Sequence, residues 1–383
     1  MKNKLPKPVR LLLTLSLLAA VGLISLYSVY RVWETPPEKT DAPLEARAAA
    51  PREETPSPSP TAALTPEPED ESGIYTLLLV GNDDGNGNTD TILLCRLDTG
   101  AHTLRFLSIP RDTLINADWE VRKVNAVYWG DRLSGGNGID ALRRHMRMLT
   151  GITPDNYAVL DIEDMIAAVD LLGGVDFEVP MAMHYDDPSQ NLHIHLDAGM
   201  QHLNGEQVMG VCRYRSSYVM GDIGRIEMQQ QFLRACIEQF TQLGKVPNLM
   251  QAAEYLAGAV DTDLTAANMA WYARQALLCG SEGLRFETLP TEPATVHKYS
   301  YAVVLLSDWL PMLNELFNPY DRELTADDLD LVYRGEQGYA GTQGLRGSWY
   351  YSWAAPAAAI APPTPTPALG PRIASITIRR TES

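Results

Sequence analysis

The chain predicts an α/β fold in which one sheet is covered by helices on both faces. Three observations carry this reading: short apolar runs between turn residues, helix-period segments among them, and a strand-helix-strand alternation punctuated by glycine. Ile74 to Val80, Ile92 to Leu97 and Leu104 to Ile109 are apolar runs bounded by turn residues, as buried strands are. Ile139 to Leu149 has helical spacing. Tyr157 to Asp161 reads as a strand, Ile162 to Leu172 as a helix closed by Gly173-Gly174, and Val175 to Val179 as a strand beyond it. After Asp222 the pattern is mostly helical, over Arg225 to Leu243, Val246 to Ala257 and Thr265 to Leu278. Leu284 to Leu289 reads as a last strand and Val303 to Phe317 as a last helix.

The two ends read differently from the middle. Residues 1–10 carry Lys2, Lys4, Lys7 and Arg10 without an acidic residue, and Leu11 to Tyr30 then has no charge before Arg31. That run is about a bilayer's thickness as a helix. It predicts a single transmembrane helix over 11–31 with a cytoplasmic N-terminus and the bulk of the chain outside. A cleaved signal peptide is the rival, but its apolar stretch would be shorter and followed by a small-x-small site. Residues 32–73 are rich in Pro, Glu, Ala and Thr and lack apolar periodicity, which predicts a disordered extracytoplasmic stalk. The Pro/Ala-rich stretch 351–383 reads as a similar tail.

Composition narrows the function. Of 383 residues, 45% are hydrophobic and 21% charged, ordinary for a globular protein, and the net charge is -17. With no basic face to release counterions, general nucleic-acid binding is excluded as an expectation. An anionic ligand is not, because a few clustered arginines set their own local field. The four cysteines form no CxxC pair and suit buried thiols better than zinc ligands. His184, His193 and His195 with Asp186 and Asp187 invite a zinc reading. His193 and His195 alternate with Leu192, Ile194 and Leu196 as one solvent-facing strand side would, and that reading is preferred.

Arginines and aspartates gather in turns that follow apolar runs. These are Gly81-Asn82-Asp83-Asp84, Asn88-Thr89-Asp90-Thr91, Ser108-Ile109-Pro110-Arg111-Asp112-Thr113, Arg213-Tyr214-Arg215 and Gly221-Asp222-Ile223-Gly224-Arg225. Guanidinium forks bind phosphate oxygens, and carboxylates hold the hard cation that accompanies phosphate. Pro110 sets the backbone from which Arg111 leaves its strand. Arg213 and Arg215 share a side if extended and diverge if helical. Arg225 opens a long helix, whose positive end favours anions. Asp222 is either that helix's N-cap or a base for an acceptor hydroxyl.

In this order, with Lys123-Val124-Asn125-Ala126, Leu172-Gly173-Gly174-Val175-Asp176 and Leu203-Asn204-Gly205-Glu206-Gln207, the segments resemble the LytR-CpsA-Psr family over roughly Ile74 to Leu243. Weaker likeness continues at Val260 to Thr265. The resemblance implies an α/β/α sandwich with a central mixed sheet and an apolar lipid pocket, behind the transmembrane helix. It makes 74–243 the catalytic domain and 244–350 an α/β extension packed on it. It also implies an enzyme at the outer face of the cytoplasmic membrane. Such enzymes move a glycopolymer from a polyprenyl pyrophosphate to peptidoglycan as a phosphodiester. The implied roles are Mg2+ on Asp83 and Asp90, catalysis by Arg111, Arg213, Arg215, Arg225 and Asp222, and substrate contacts from Asp112, Lys123 and Gln229. Three positions depart from the family pattern, with Gly85, Asn88 and Met228 where arginines are common. Compensation by Arg105 or Arg122, a lower rate and a different substrate are all left open by these departures. So are a polyprenyl pyrophosphatase and a non-catalytic lipid-binding scaffold.

Overall fold

A computed structural model of the protein describes residues 35–39, 73–83, 88–188, 192–214, 222–240, 246–296, 298–335 and 338–346. The expected transmembrane helix at 11–31, the tail at 351–383 and most of the expected stalk lie outside these residues. Among the described residues, no helix is long and apolar enough to cross a membrane.

The expected mixed sheet is present. Strand β1 (Ile74–Asp83) pairs antiparallel with β2 (Asn88–Asp98) and parallel with β4 (Asn156–Leu160). Beyond β2 comes β3 (Thr103–Ser108), antiparallel, and then β10 (Leu284–Thr288), parallel to β3. The short β9 (Asp261–Thr262) closes the other edge against β4. Strand alternation sends Leu78, Val80, Ile92 and Leu94 to one face and Tyr75, Leu77, Leu79 and Leu93 to the other.

Both faces are covered. On the first lie α1 (Val127–Leu133), α2 (Gly138–Thr150) and α8 (Leu306–Met312), the last running into a π-turn at Leu313–Phe317. Helix α2 turns Ile139, Leu142, Met146 and Leu149 inward at helical spacing, and Gly151 closes it at φ 71°. On the second face, Leu233 and Ile237 of α5 (Asp222–Phe240) and Trp271 and Tyr272 of α7 (Ala266–Cys279) cover the sheet, and α6 (Val246–Ala259) packs against α7.

A second core lies beside the sandwich. It is built by α3 (Ile162–Leu171), β5 (Val175–Val179), β6 (Met183–Asp187), β7 (Leu192–Leu196), β8 (Gly199–Leu203), α4 (Gly205–Arg213) and α5. The expected strand at Val175 exists but does not join the central sheet; it pairs with β8. Val175, Phe177 and Val179 are buried while Asp176 and Glu178 are exposed, the alternation of a one-sided antiparallel ladder rather than of a strand covered twice.

Three further expectations need correction. The run Val303 to Phe317 is not one helix: Val303 and Val304 end β12 (Tyr299–Val304), and the helix begins at Leu306. β-Branched residues favour the strand at that point. Strand β12 belongs to a small sheet with β11 (Thr291–Val296), β13 (Val332–Gly335) and β14 (Gly338–Gly341). Residues 244–350 are also no separate extension. They supply both edge strands of the central sheet, β9 and β10, and covering helices on both of its faces. Within the expected stalk, residues 35–39 lie against the domain. Pro37 is buried, Asn268 donates to the Thr35 carbonyl at 3.4 Å, and Asn156 donates to the Glu38 carbonyl at 3.4 Å. Too short to form a core, the segment docks on one.

His145 on α2 gives the fold an acid sensitivity. Its Nδ1 meets the Ala141 carbonyl at 2.8 Å, and its ring lies 5.8 Å from that of Trp119. Burial, with weaker repulsion from Arg144 and Arg346, lowers its pKa to about 4 against the stabilising Ala141 hydrogen bond. The folded protein therefore holds this histidine neutral where the unfolded chain takes up a proton. Its penalty is absent above the ordinary histidine range and grows as pH falls toward 4. His145→Gln should flatten the fall in urea midpoint between pH 7 and 5 relative to the wild type; parallel pH profiles would refute the assignment.

Candidate functional site

Between the start of β2 and the carboxyl end of β3, at a sheet edge where ligands commonly bind, the chain forms an open cleft. Its polar wall is Asp90, Thr91, Ser108, Arg111, Arg225, Gln229 and Gln230; its apolar wall includes Leu93, Ile226, Leu233 and Phe286.

Asp90 owes its position to a bulge. Gly81 pairs with Thr91 and Asn82 with Thr89, so Asp90 has no opposite number on β1. A bulge re-aims a side chain at a sheet's rim, and Asp90 meets Arg111 Nη1 with Oδ1 at 2.8 Å. Arg111 stands in a turn after β3: Thr113 N–H donates to the Pro110 carbonyl at 2.9 Å, and the Thr113 hydroxyl to the same oxygen at 2.6 Å. The segment after Lys123 braces this turn, with Asn125 N–H on the Arg111 carbonyl at 3.2 Å and Val124 N–H on the Thr113 carbonyl at 3.0 Å.

Helix α5 supplies the third side. Arg225, Ile226, Gln229, Gln230 and Leu233 share one helix face by their spacing. Arg225 is 2% exposed, sits in the first turn, and donates from Nη2 to the Asp90 carbonyl at 3.3 Å. Gln229 links Thr91 (3.5 Å) to the Cys212 carbonyl (3.4 Å), and Gln230 Nε2 reaches Ser108 Oγ at 2.9 Å and Thr288 Oγ1 at 3.1 Å. Polar groups thus occupy the first two turns and apolar Leu233 and Ile237 the next ones. The arrangement suits an amphiphile with an anionic head.

Of the residues singled out in the sequence, Asp90, Arg111, Arg225 and Gln229 meet at this cleft. Asp112 and Lys123 do not line it. They pair with each other at 2.8 Å, so their part is to clip the Arg111 turn rather than to touch a ligand there. Arg213 is the last residue of α4, and Tyr214 after it is extended at ψ 129°. Arg213 thus ends a helix rather than lying in a strand, and Arg215 lies outside the described residues. Asp83 ends β1, opposite Asn88, and Asp222 opens α5; the side chains of both lie outside the described residues. Met228 is buried in the second core, where an arginine's charge would be desolvated. Arg105 donates to the carbonyls of Glu315 and Leu316, and Arg122 to that of Trp119, so neither replaces a cleft arginine.

Sequence reading missed Thr91, Ser108 and Gln230 as cleft residues, and the apolar Leu233 and Phe286. The i, i+4 step from Ile226 to Gln230 was the signal for Gln230. The motif Leu203 to Gln207 proves architectural: Asn204 caps α4 reciprocally with Gln207, and a Cβ on Gly205 would meet the Ile166 carbonyl at 2.3 Å. Nearby Cys212 is no nucleophile, since burial pushes its thiol up to about 12 despite the pull of Arg225.

A family model described as the LytR_cpsA_psr family matches residues 41–318. The chain belongs to the LytR-CpsA-Psr family. That span includes β9, β10 and α7, in keeping with one continuous fold past residue 243. The chain is 26% identical over 272 residues to the polyisoprenyl-teichoic acid–peptidoglycan teichoic acid transferase TagV of Bacillus subtilis, covering 68% of this chain and 65% of that protein. It is 29% identical over 192 residues to the cell wall biosynthesis protein LcpA of Corynebacterium glutamicum, covering 45% of this chain and 36% of the relative. The chain thus spans less than two thirds of the length of these curated relatives. The LytR-CpsA-Psr fold is also seen in the crystal structure of B. subtilis TagV, at TM-score 0.56 and 22% identity, covering 64% of this chain and 96% of that one. The structure of TagT bound to LIIa-WTA aligns at TM-score 0.53 and 17% identity, covering 68% and 97%.

Proposed function

We propose that this protein is an extracytoplasmic phosphotransferase moving a glycopolymer, of teichoic acid or capsular type, from a polyprenyl pyrophosphate carrier to peptidoglycan. The observation that carries the reading is the convergence of Arg111 and Arg225 on Asp90 beside the apolar wall of α5. The activity for which the relative TagV is named supports it. The uncharged run Leu11 to Tyr30 supports a membrane location for the donor.

In this reading the pyrophosphate displaces Arg111 from Asp90, and the Arg111 fork and Arg225 take its oxygens. The first prenyl units lie along Leu233 and Phe286, out of water. An acceptor hydroxyl, of muramic acid, attacks the sugar-side phosphorus. The bond from that phosphorus to the bridging oxygen breaks, polyprenyl phosphate departs, and the hydroxyl proton passes to a base, for which Asp222 at the start of α5 is the nearest expectation. Little covalent chemistry falls to the protein, so positioning and charge neutralisation dominate. Asp90 lines the cleft and Asp83 ends the neighbouring strand β1, and these two carboxylates would hold magnesium. The ion would add positive charge at the pyrophosphate.

The full chain, incubated with lipid-linked donor and peptidoglycan, should yield acceptor-attached glycan in proportion to the lipid phosphate released. Phosphate release at the same rate without acceptor would assign a hydrolase instead. Tight donor binding with no turnover would assign a scaffold.

A further inference from the structure

A second cluster of ligating groups lies on the hairpin of β6 and β7, on the far side of α4 and α5 from the sheet's cleft. Asp186 pairs with His193 across the ladder, and His184 with His195. Because alternate residues share a side, all four project outward together, while Met183, Ile194 and Leu196 are buried in the second core. Linear spacing does not show this; the antiparallel register creates it. Three of the chain's seven histidines stand on this one hairpin, which is more than a generic polar face requires.

The geometry is convergent. His193 Nδ1 lies 2.6 Å and His195 Nε2 3.1 Å from the same Asp186 oxygen, Oδ1. The three donor atoms fall within 4.8 Å of one another. A tetrahedron with bonds of 2.0–2.1 Å has edges of about 3.3 Å, so small side-chain rotations suffice to close the set. His184, its ring 6.0 Å from that of His195, stands next to them as a fourth donor.

We propose that Asp186, His193 and His195 form a binding site for a borderline divalent cation, and zinc is the ion their donors suit. Two imidazoles and one carboxylate are too soft a set for magnesium, which separates this site from the pyrophosphate cleft. Each histidine gives the ring nitrogen now aimed at Asp186 and keeps its proton on the other. The buried side of the hairpin packs on α4, where Ile194 lies 3.4 Å from the place a Cβ on Gly210 would take, and its core continues to Met228 and Phe232 of α5. A bound cation therefore pins two strands that back the helices carrying Arg213 and Arg225.

The test is calorimetric titration of Zn2+ into the full chain purified without an affinity tag, with Co2+ absorption as the geometric readout. One equivalent should bind, with the intense ligand-field bands of a tetrahedral site, and the unfolding temperature should rise on loading. His193→Ala and His195→Ala should each weaken binding by more than the roughly 10–100-fold that loss of an outer-shell partner costs. His202→Ala, which removes a histidine paired with Asp176 on a different ladder, should bind as the wild type does. Absence of a stoichiometric site overturns the proposal, as does binding that survives loss of His193 and His195.

Discussion

Arg111→Ala should lower transfer of glycan to peptidoglycan by roughly a thousandfold, the scale on which a transition-state arginine acts. That ratio corresponds to about 4 kcal/mol. The competing account makes Arg111 a partner for Asp90 and nothing more. Their 2.8 Å pair keeps about a quarter of each side chain exposed, and such a pair contributes about 0–1 kcal/mol to stability. The two accounts differ by several kcal/mol and in where the loss appears. A ligand role predicts a large fall in turnover with an unfolding midpoint close to the wild type. Arg111→Lys should restore little, because an ammonium lacks the planar fork. Asp90→Asn breaks the same ion pair while leaving Arg111 in place, and its unfolding midpoint reads what the pair contributes to stability. Turnover of Arg111→Ala within tenfold of the wild type would remove Arg111 from the site. Arg225 is the less clean probe, since its near-complete burial mixes lost chemistry with a lost core contact.

Much of this site was legible in one dimension because local chemistry repeats in three. The Pro110 turn, the strand before it and the polar start of α5 carry their own signals, and Arg111 and Arg225 line one cleft. Features set by pairing between strands were not legible. The bulge that frees Asp90 depends on the register of Gly81 and Asn82 against β2. The outward quartet around Asp186 depends on the register of β6 against β7. Helix ends were the other weak point: the geometry of Arg213 turns on α4 stopping at that residue. For β5 the alternating burial was visible in Val175 to Val179, but its neighbours suggested a crossover. The run from Val303 failed for a plainer reason, since apolar residues alone do not separate a buried strand from a buried helix.

Truncation after residue 243 should abolish cooperative folding, although the motifs of the expected catalytic domain all precede that point. The cut removes both edge strands of the central sheet. It also strips the first face of Trp309, Leu313, Leu316 and Phe317 and the second of Trp271 and Tyr272. Trp309→Ala is the graded form of the same test. The side chain is fully buried, and its indole N–H donates to the Leu149 carbonyl of α2 at 2.9 Å. Its loss should cost about 3–5 kcal/mol, a large part of the roughly 5–15 kcal/mol that holds a domain together. Further along, Arg346 N–H donates to Asn116 Oδ1 at 3.1 Å, and its guanidinium meets the buried carboxylate of Asp330, which also accepts from Asn116. The fold is thus tied back to the segment after the Arg111 turn by its last described residue. Chemical denaturation followed by tryptophan emission would decide the matter. If the truncated chain unfolds in a sharp transition, or Trp309→Ala loses less than about 1 kcal/mol, then residues 244–350 are an appendage after all and the sandwich stands without them.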